Sequence, residues 1–330
     1  MQRKIPENYS NTIIAIHKER GREWIASLPS LITYCEKKWK CSVLDPFDLS
    51  YNYVAPVVCV GGKRLVLKLS VPNHEFQDEL TAVTLYKDNN GMVNLVGFDR
   101  KKGIMLLENV EPGKPLSTVE NDIEATNIAA SVLKQLWKET EINDFHLLKT
   151  TVQNELSLKR IIQENNEGFG PFSKELLSSA LTIFNRLNSS ISRYYVLHGD
   201  LHHYNILSCD NKGWVAIDPK GLIGEREYDV IQFLLNRLPS ENKYNIVRDR
   251  IEIFVKELGL SKNRILLWGY VHAILSVCWS VEESEGYSKD FYEVVDIFKT
   301  IYLEESCINS TFGEDEFVLS VIFASGTRDV

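Results

Sequence analysis

The stretch Val196-Leu-His-Gly-Asp-Leu-His-His-Tyr-Asn-Ile-Leu-Ser208, followed by Trp214-Val-Ala-Ile-Asp218, decides the fold of this chain. Each stretch contains an apolar run of strand type, and the loop between the two runs holds His198, Asp200 and Asn205. The pattern is His-x-Asp-x-x-x-x-Asn followed by a strand that ends in Asp, the arrangement used in phosphoryl transfer. The sequence therefore predicts a strand, a catalytic loop and a second strand in this region.

The residue types in this loop suit the chemistry. Asp200 can accept the proton of an attacking hydroxyl group. Asn205, through its amide oxygen, and Asp218, through its carboxylate, are hard oxygen ligands suited to Mg²⁺ on nucleotide phosphates. His198 lies next to the strand, so we expect it to brace the loop by hydrogen bonds. We therefore assign Asp200 and His198 to catalysis, and Asn205 and Asp218 to the metal.

Two other interpretations of the loop are open on these residues alone. Asp and Asn between two strands are common turn residues. The loop also holds a cluster of potential metal ligands, namely His198, Asp200, His202 and His203. The other histidines of the chain form no recognisable pair, and further parts of the phosphoryl-transfer pattern occur upstream in the right order, which favours a kinase.

Composition restricts the class of protein. The 330 residues are 44% hydrophobic and 25% charged, as in a globular protein with one large or two modest domains. No apolar run approaches about 20 residues, so we expect no membrane span, and the first residues lack a secretory signal. Six scattered cysteines indicate a reduced, cytoplasmic protein. The net charge of −8 argues against nucleic acid and fits a cationic partner.

The first part of the chain predicts an N-terminal lobe of residues 1–110. Residues 1–40 form a helical extension, and residues 41–110 form a nucleotide-binding sheet. The predicted strands are Lys40–Leu44, Tyr53–Val60, Lys63–Ser70, Met92–Asp99 and Ile104–Glu108. On the third of these, Lys68 alternates with leucines and so lies on one defined face, which indicates a contact with the α- and β-phosphates.

A buried carboxylate supports this role for Lys68. A helix from Asn73 to about Lys87 has an apolar stripe, and Glu79 lies on the same side of the helix as that stripe. A carboxylate in such a place needs a cationic partner, and Lys68 is the natural one. Glu75, one turn earlier, is the alternative.

Two further segments are assigned to the nucleotide. The turn-rich link Asn109–Gly113 predicts a hinge between two lobes, and we place Glu108 and Val110 there with backbone groups free to bind an adenine edge. The loop near residues 49–53 is expected to face the phosphates, but it contains no glycine. Ser50 and Asn52 are its candidates for phosphate contact.

Residues 111–304 predict a mainly helical C-terminal lobe. Ser117-x-x-Glu120 predicts a capping box that opens a helix through Trp137. The other predicted helices are Val152–Gln163, Ser173–Ile191, 244–258, 262–282 and 288–304. Residues 305–330 are a tail without a defined prediction, in which Phe317–Ala324 is either a strand or loosely packed.

With these residues in place, the chain resembles the aminoglycoside phosphotransferases, and more narrowly the streptomycin 6-phosphotransferase-like group of aminoglycoside/hydroxyurea antibiotic-resistance kinases. The likeness extends from Gly21 to about Glu283 and leaves the tail uncovered. It is carried by Val57–Lys68, Ile104–Glu108 with Pro112-Gly113, His198–Leu207 and Ala216–Asp229.

The resemblance implies a two-lobed, protein-kinase-like α/β (α+β) fold with ATP, or alternatively GTP, and Mg²⁺ between the lobes. Carried over residue by residue, Asp200 is the base, and Asn205 and Asp218 hold Mg²⁺. Lys68 contacts the phosphates, and Glu79 orients Lys68. The glycine-free loop departs from the family pattern.

A protein kinase is a less suitable assignment. Such enzymes have an activation segment closed by Ala-Pro-Glu after the metal-binding Asp. Only ten residues separate Asp218 from Asp229, no Ala-Pro-Glu occurs, and Gly199 replaces the arginine of His-Arg-Asp. The sequence therefore predicts a small-molecule kinase.

Acidic and aromatic residues near the catalytic stretch indicate the acceptor. The candidates are Glu225, Glu227, Asp229, Trp279, Glu282 and Glu283, of which the last three lie on one helical face. Such a pocket suits a polyhydroxylated cation such as streptomycin. Other small metabolites (choline, homoserine or a sugar) remain open as acceptors. An alternative function is a nucleotide-binding module without turnover. For the oligomeric state, we expect a monomer or a weak homodimer.

Overall fold

The computed structural model describes residues 5–141, 147–284, 286–287 and 289–308. The chain forms two compact units. The first unit comprises Met1–Lys114 and Leu207–Lys220, and the second comprises Pro115–Ile206 and Gly221–Val330. The lobe boundary expected at residue 110 stays a prediction. In the structure the chain leaves the first unit after Lys114 and returns to it for Leu207–Lys220.

The helices and strands follow the chain in this order. The helices are α1 Glu7–Trp39, α2 His74–Leu85, α3 Asp122–Leu136, α4 Val152–Glu164, α5 Lys174–Ser189, α6 Arg226–Asp229, α7 Ile231–Leu235, α8 Lys243–Leu258, α9 Lys262–Ser284 and α10 Lys289–Ile308. The strands are β1 Cys41–Val43, β2 Tyr53–Cys59, β3 Arg64–Leu69, β4 Leu95–Asp99, β5 Ile104–Glu108, β6 Pro112–Pro115, β7 Lys138–Thr140, β8 Gly168–Phe169, β9 Phe172–Ser173, β10 Tyr194–Leu197, β11 Ile206–Cys209, β12 Gly213–Ala216 and β13 Leu222–Gly224.

A five-stranded antiparallel sheet forms the centre of the first unit, in the order β1-β2-β3-β5-β4. The strands predicted from alternation are confirmed to within three residues at their ends. Gly61 and Gly62 both have positive φ, 92° and 82°, which is why glycine occupies this hairpin turn. The buried face of the sheet packs against α1 through Leu28, Ile32 and their neighbours.

The helical extension folds back on itself. α1 is broken at Lys18, where φ is 55° and ψ is −128°. A Cβ at Gly21 would lie 2.6 Å from the carbonyl oxygen of Ile13, so only glycine permits this close approach of the two helical segments.

The return of the chain to the first unit is explained by backbone hydrogen bonds. Ala216 N donates to Gly91 O at 2.7 Å, and Val93 N donates to Ala216 O at 3.0 Å. Asp210 N also donates to Glu111 O at 2.8 Å. These bonds hold the β11–β12 hairpin, and with it Asp218, in the unit that contains Lys68.

The second unit is mainly helical, with a small sheet in the order β7-β10-β13. The predicted capping box at Ser117 is wrong. Leu116–Thr118 forms a 3₁₀ turn, and the backbone N–H of Ser117 is engaged by His203 O at 3.1 Å. Asn121 caps α3 instead, because its side chain accepts from Glu124 N.

The last two helices close the described part of the chain. By length and composition, Lys262–Glu283 of α9 passes as a membrane span, which the sequence analysis did not expect. However, 72% of its most apolar window is buried inside the protein, as in a core helix. α10 extends past the predicted end at residue 304 to Ile308. The segment Phe317–Ala324, considered as a strand or tail, lies outside the described residues.

Candidate active site

Lys68 lies at the centre of a charged group in the first unit. Strand β3 directs the side chain inward, and the residue is only 2% exposed. Its Nζ lies 2.6 Å from Oε1 of Glu79 and 3.0 Å from Oδ1 of Asp218. The ion pair expected between Lys68 and Glu79 is therefore present, whereas Glu75, the alternative partner, is exposed.

One ammonium group is shared here between two carboxylates. Burial alone would lower the pKa of Lys68, but Asp218 and Glu79 outweigh it and raise that pKa, so the side chain stays charged. Burial raises the pKa of Glu79 to about 7; Lys68 opposes this shift, and Asp218 adds to it. With both carboxylates ionised, the group has one negative charge in excess, and a cation beside it would be stabilised.

Asp218 has a suitable position to bind such a cation. It follows the end of β12 with φ of 55°, in the left-handed region that Asp tolerates better than most residues. Its side chain is 43% exposed, although Oδ1 contacts the buried Lys68. A half-exposed carboxylate in a set of side chains with net negative charge fits a divalent cation such as Mg²⁺.

The predicted hinge contains a further ion pair. Glu108 accepts from Lys212 Nζ at 2.8 Å and from Asn94 Nδ2 at 2.8 Å. Burial would raise the pKa of Glu108, but these hydrogen bonds outweigh it and lower the pKa. The Glu108 side chain therefore links the end of β5 to Asn94 and Lys212, and the backbone N–H of Glu108 donates to Asn94 O at 2.9 Å, so neither group is left for the predicted adenine contact. That contact stays a prediction.

The glycine-free loop lies between β1 and β2. Phe47 N donates to Val54 O at 3.0 Å, which ties the loop to its own following strand. Phe47 and Tyr51 are more than half exposed, and Ser50 is exposed as well. The phosphate contacts assigned to Ser50 and Asn52 stay predictions.

The catalytic loop of the second unit follows directly after β10. Gly199 has φ of 78°, and this left-handed backbone conformation turns the chain between His198, which is buried, and Asp200. His198 Nδ1 accepts from Asp200 N at 3.2 Å, and its carbonyl oxygen accepts from Gly221 N at 3.1 Å. His198 thus forms the bracing hydrogen bonds predicted for it.

Asn205 is oriented by the residue predicted to be the base. Its Nδ2 donates to the carbonyl oxygen of Asp200 at 2.9 Å, and its own N–H donates to His202 O at 2.9 Å. Because the side-chain amide nitrogen donates to Asp200 O, the amide oxygen is the atom that can serve as a metal ligand. The loop therefore fixes Asp200 and Asn205 relative to each other.

Asp229 holds this loop in place by hydrogen bonds that the sequence did not predict. Asp229 accepts from His198 N at 3.0 Å, from Gly199 N at 2.8 Å and from Trp137 Nε1 at 2.9 Å. Burial raises the pKa of Asp229, while the neighbouring His198 and the N–H donors act in the opposite direction. Asp229 was predicted to contact the acceptor. Its three hydrogen bonds give it a structural role, and Trp137, at the end of α3, carried no signal in the sequence.

The histidine-rich interpretation of the loop finds no support. His203 stacks on Phe233 with ring centres 4.0 Å apart and contacts Asn236 through Nδ1. Burial, aided by Arg250, lowers its pKa to about 4, so it is a neutral core residue. Among the residues that the structure describes, no three histidine, cysteine or acidic side chains are grouped to hold a metal ion.

The predicted acceptor residues have partners within the second unit. Glu225 is 7% exposed and accepts from Arg264 Nε at 2.8 Å and from Trp268. Burial raises its pKa, and Arg264 opposes the shift. Glu227 accepts from the backbone N–H of Ser261 at 3.0 Å. These contacts commit both carboxylates to holding α9 against α6.

The second set of predicted acceptor-binding residues, on α9, is more accessible to solvent. Trp279 Nε1 donates to Ser157 Oγ at 3.1 Å, and Glu282 contacts Arg160 at 2.7 Å in an exposed ion pair. Glu283 is exposed on the next position of α9. Of the six predicted acceptor residues, Glu282 and Glu283 are therefore those whose carboxylates can best reach a soluble cation.

Comparison with known sequences gives relatives over most of the chain. The profile of a family described as aminoglycoside/hydroxyurea antibiotic resistance kinase matches residues 43–284. Streptomycin 6-kinase of Streptomyces glaucescens is 27% identical over 290 residues, which cover 86% of this chain and 92% of that protein. Hydroxyurea phosphotransferase of Kitasatospora aureofaciens is 27% identical over 286 residues, which cover 80% and 76% of the two chains.

Comparison with crystal structures gives the same fold at low identity. Choline kinase LicA from Streptococcus pneumoniae has a TM-score of 0.60 at 16% identity, and covers 84% of this chain and 99% of that chain. Aminoglycoside phosphotransferase APH(4)-Ia, in a ternary complex with ADP and hygromycin B, has a TM-score of 0.54 at 12% identity, with 83% and 98% covered. The predicted protein-kinase-like α+β fold is confirmed.

Proposed function

Since the chain belongs to the aminoglycoside/hydroxyurea antibiotic resistance kinase family, we propose that it transfers the γ-phosphoryl group of ATP to a hydroxyl of a cationic, polyhydroxylated small molecule. Streptomycin is the first acceptor to test. The chain is a phosphotransferase with an alcohol group as acceptor, as its relatives are. The observation that carries the proposal is the contact of the buried Lys68 with both Glu79 and Asp218.

The residues of each unit have separate tasks in this proposal. In the first unit, Glu79 holds the charged Lys68 ready for the phosphate oxygens, and Ser50 and Asn52 contact phosphate. In the second unit, Asp200 accepts the proton of the acceptor hydroxyl as it attacks, while His198 keeps the loop in place. Asn205 and Asp218 would hold Mg²⁺, which supplies charge neutralisation of the phosphates.

The function is tested by coupling nucleotide consumption to a panel of acceptors. The panel contains streptomycin, other aminoglycosides, hydroxyurea, choline, homoserine and sugars, each with ATP or GTP. We expect turnover with an aminoglycoside at a rate of the order of 1–100 s⁻¹. Turnover only with a neutral metabolite would remove the aminoglycoside assignment, and nucleotide binding without any turnover would reduce the protein to a binding module.

Asp218→Ala is expected to weaken nucleotide binding only when Mg²⁺ is present. The reason is that the carboxylate acts on the nucleotide through the ion rather than directly. Isothermal titration with ATP, in excess Mg²⁺ and then in excess chelator, measures the difference. The matched control is Asp210→Ala, an exposed acid in the turn of the neighbouring hairpin. Equal loss with and without Mg²⁺ would make Asp218 a structural residue.

The double change Glu282→Gln with Glu283→Gln is expected to raise the KM for the acceptor and leave kcat nearly unchanged. Two exposed ion pairs are worth ~0.2–1 kcal/mol each, so the increase should be roughly 2- to 30-fold. The KM of the unchanged protein should also rise with ionic strength, because such pairs are screened over ~10 Å at 0.1 M salt.

The control for this change is Glu164→Gln. Glu164 shares Arg160 with Glu282 but lies on α4, so its loss disturbs the same arginine without removing charge from α9. An equal rise in KM in this control would trace the effect to Arg160. An unchanged KM in the double variant, at any salt concentration, would contradict recognition of a cation by these carboxylates.

The proposal also includes the location, oligomeric state and partners of the protein. We expect a cytoplasmic protein that acts as a monomer or weak homodimer without nucleic acid or membrane. The support is the reduced state of the described cysteines, the burial of α9 and the net charge of −8. Sedimentation velocity across a range of protein concentrations checks the oligomeric state.

A further inference from the structure

Two half-buried cysteines lie opposite each other at the edge of the first unit's sheet. β1 pairs with β2 so that Cys41 is the partner of Cys59. Both are free thiols, and burial and the nearby Cys59 are among the causes that raise the pKa of Cys41. The two residues are far apart in the sequence and belong to no motif, so only the strand register brings them together.

The backbone hydrogen bonds around Cys41 and Cys59 show which of the two kinds of antiparallel residue pair they form. Val60 N donates to Lys40 O at 3.0 Å, a bond between the residues that flank Cys41 and Cys59. The two cysteines are thus a non-hydrogen-bonded pair. Cα atoms in such antiparallel pairs are about 4.5 Å apart, within the ~4.4–6.8 Å that a disulfide bridges. The strand register therefore places the two cysteines within the range that a disulfide bridges.

We propose that Cys41 and Cys59 are a modification site, a dithiol that closes to an intramolecular disulfide in the folded protein when an oxidant such as hydrogen peroxide is present. The thiolate of Cys59 attacks one peroxide oxygen, the O–O bond breaks, and the released hydroxide takes a proton to become water. The sulfur of Cys41 then displaces the hydroxyl of the Cys59 sulfenic acid, which forms the S–S bond and a second water. The two thiols lose two protons and two electrons, and the peroxide is reduced to two waters.

The surroundings decide which cysteines react. Burial, together with the neighbouring Cys59 and Glu36, raises the pKa of Cys41 to about 11, so Cys41 is mostly protonated at neutral pH and does not attack first. Cys41 Sγ also lies 3.9 Å from the carbonyl oxygen of Cys35. Cys35 itself is fully buried, which shields it from a soluble oxidant and leaves Cys59 as the partner of Cys41.

The disulfide would fasten a short edge strand. β1 has only three residues and lies at the end of the sheet, where it has one neighbouring strand. A covalent link to β2 closes the chain that includes the loop with Ser50 and Asn52. We therefore expect oxidation to raise the unfolding midpoint of the first unit, because the link restricts the unfolded chain.

The experiment uses the full chain, reduced and then exposed to hydrogen peroxide or diamide under native conditions. Remaining thiols are alkylated, and the protein is digested and analysed by mass spectrometry. We expect a linked peptide pair containing Cys41 and Cys59, with a mass about 2 Da below the sum of the reduced peptides. Thermal unfolding should shift upward after oxidation and return after treatment with dithiothreitol.

Control variants separate this site from the other thiols. Cys35→Ala should form the link as the unchanged protein does, whereas Cys41→Ser and Cys59→Ala should each abolish it together with the thermal shift. Alkylation of both Cys41 and Cys59 after oxidation of the folded protein would overturn the proposal. A link from Cys41 to Cys35, or one that appears only in denaturant, would overturn it as well. None of these readouts depends on kinase activity.

Discussion

Asp200→Asn is expected to abolish phosphoryl transfer while nucleotide binding stays nearly unchanged. The amide cannot accept the proton of the acceptor hydroxyl, and loss of a general base costs ~10²–10⁴-fold in rate. The loop should keep its shape, because the substitution leaves the backbone N–H and carbonyl of Asp200, which bond His198 and Asn205, unchanged. Single-turnover kinetics with streptomycin, and titration with ATP and Mg²⁺, measure the two quantities separately.

The control for this change is Asp210→Asn, the same substitution at an exposed turn in the first unit. It should retain full turnover. If Asp200→Asn kept more than about a tenth of the original rate, Asp200 could not be the base. If it lost nucleotide binding instead, its role would lie with the phosphates or the metal.

Asp229→Ala is expected to lower both stability and kcat. It leaves the buried N–H of His198 and the partly buried N–H groups of Gly199 and Trp137 without their acceptor. An unsatisfied buried donor costs ~1–3 kcal/mol, so the free energy of unfolding should fall by at least about 1 kcal/mol through His198 and by more through the other two donors. Since two of these donors directly precede Asp200, the position of the base should also be lost.

A graded series separates positioning from folding. Trp137→Phe removes one donor and keeps the Asp229 bonds to the loop, so we expect a modest loss of stability and a smaller fall in kcat. Asp229→Asn retains an acceptor oxygen and should lie between Trp137→Phe and Asp229→Ala. Glu227→Ala, in the same short helix, is the control and should leave kcat unchanged. A fall in stability without any fall in kcat, measured below the unfolding midpoint, would show that Asp229 does not position the loop.

The sequence by itself determined those features that depend on local pattern. Alternation along β2 and the first half of β3 placed these strands, because one face is buried there while the other is only partly buried or exposed. Periodicity and burial cost were sufficient to pair Glu79 with Lys68. The spacing of Asp200, Asn205 and Asp218 indicated phosphoryl transfer, since the order of base and ligands along the chain is itself the motif.

Only the tertiary structure decided where charges far apart in the sequence are neutralised. Glu225 and Asp229 read as acceptor ligands because a carboxylate after a catalytic motif has no visible partner in the sequence. In the fold, Arg264 reaches the first, while Trp137 and two backbone N–H groups reach the second. Glu282 and Glu283 stay exposed, because their part of α9 leaves the core. Burial removes water from a carboxylate and forces it to find a partner within the protein, and which partner it meets depends on packing that no local pattern encodes.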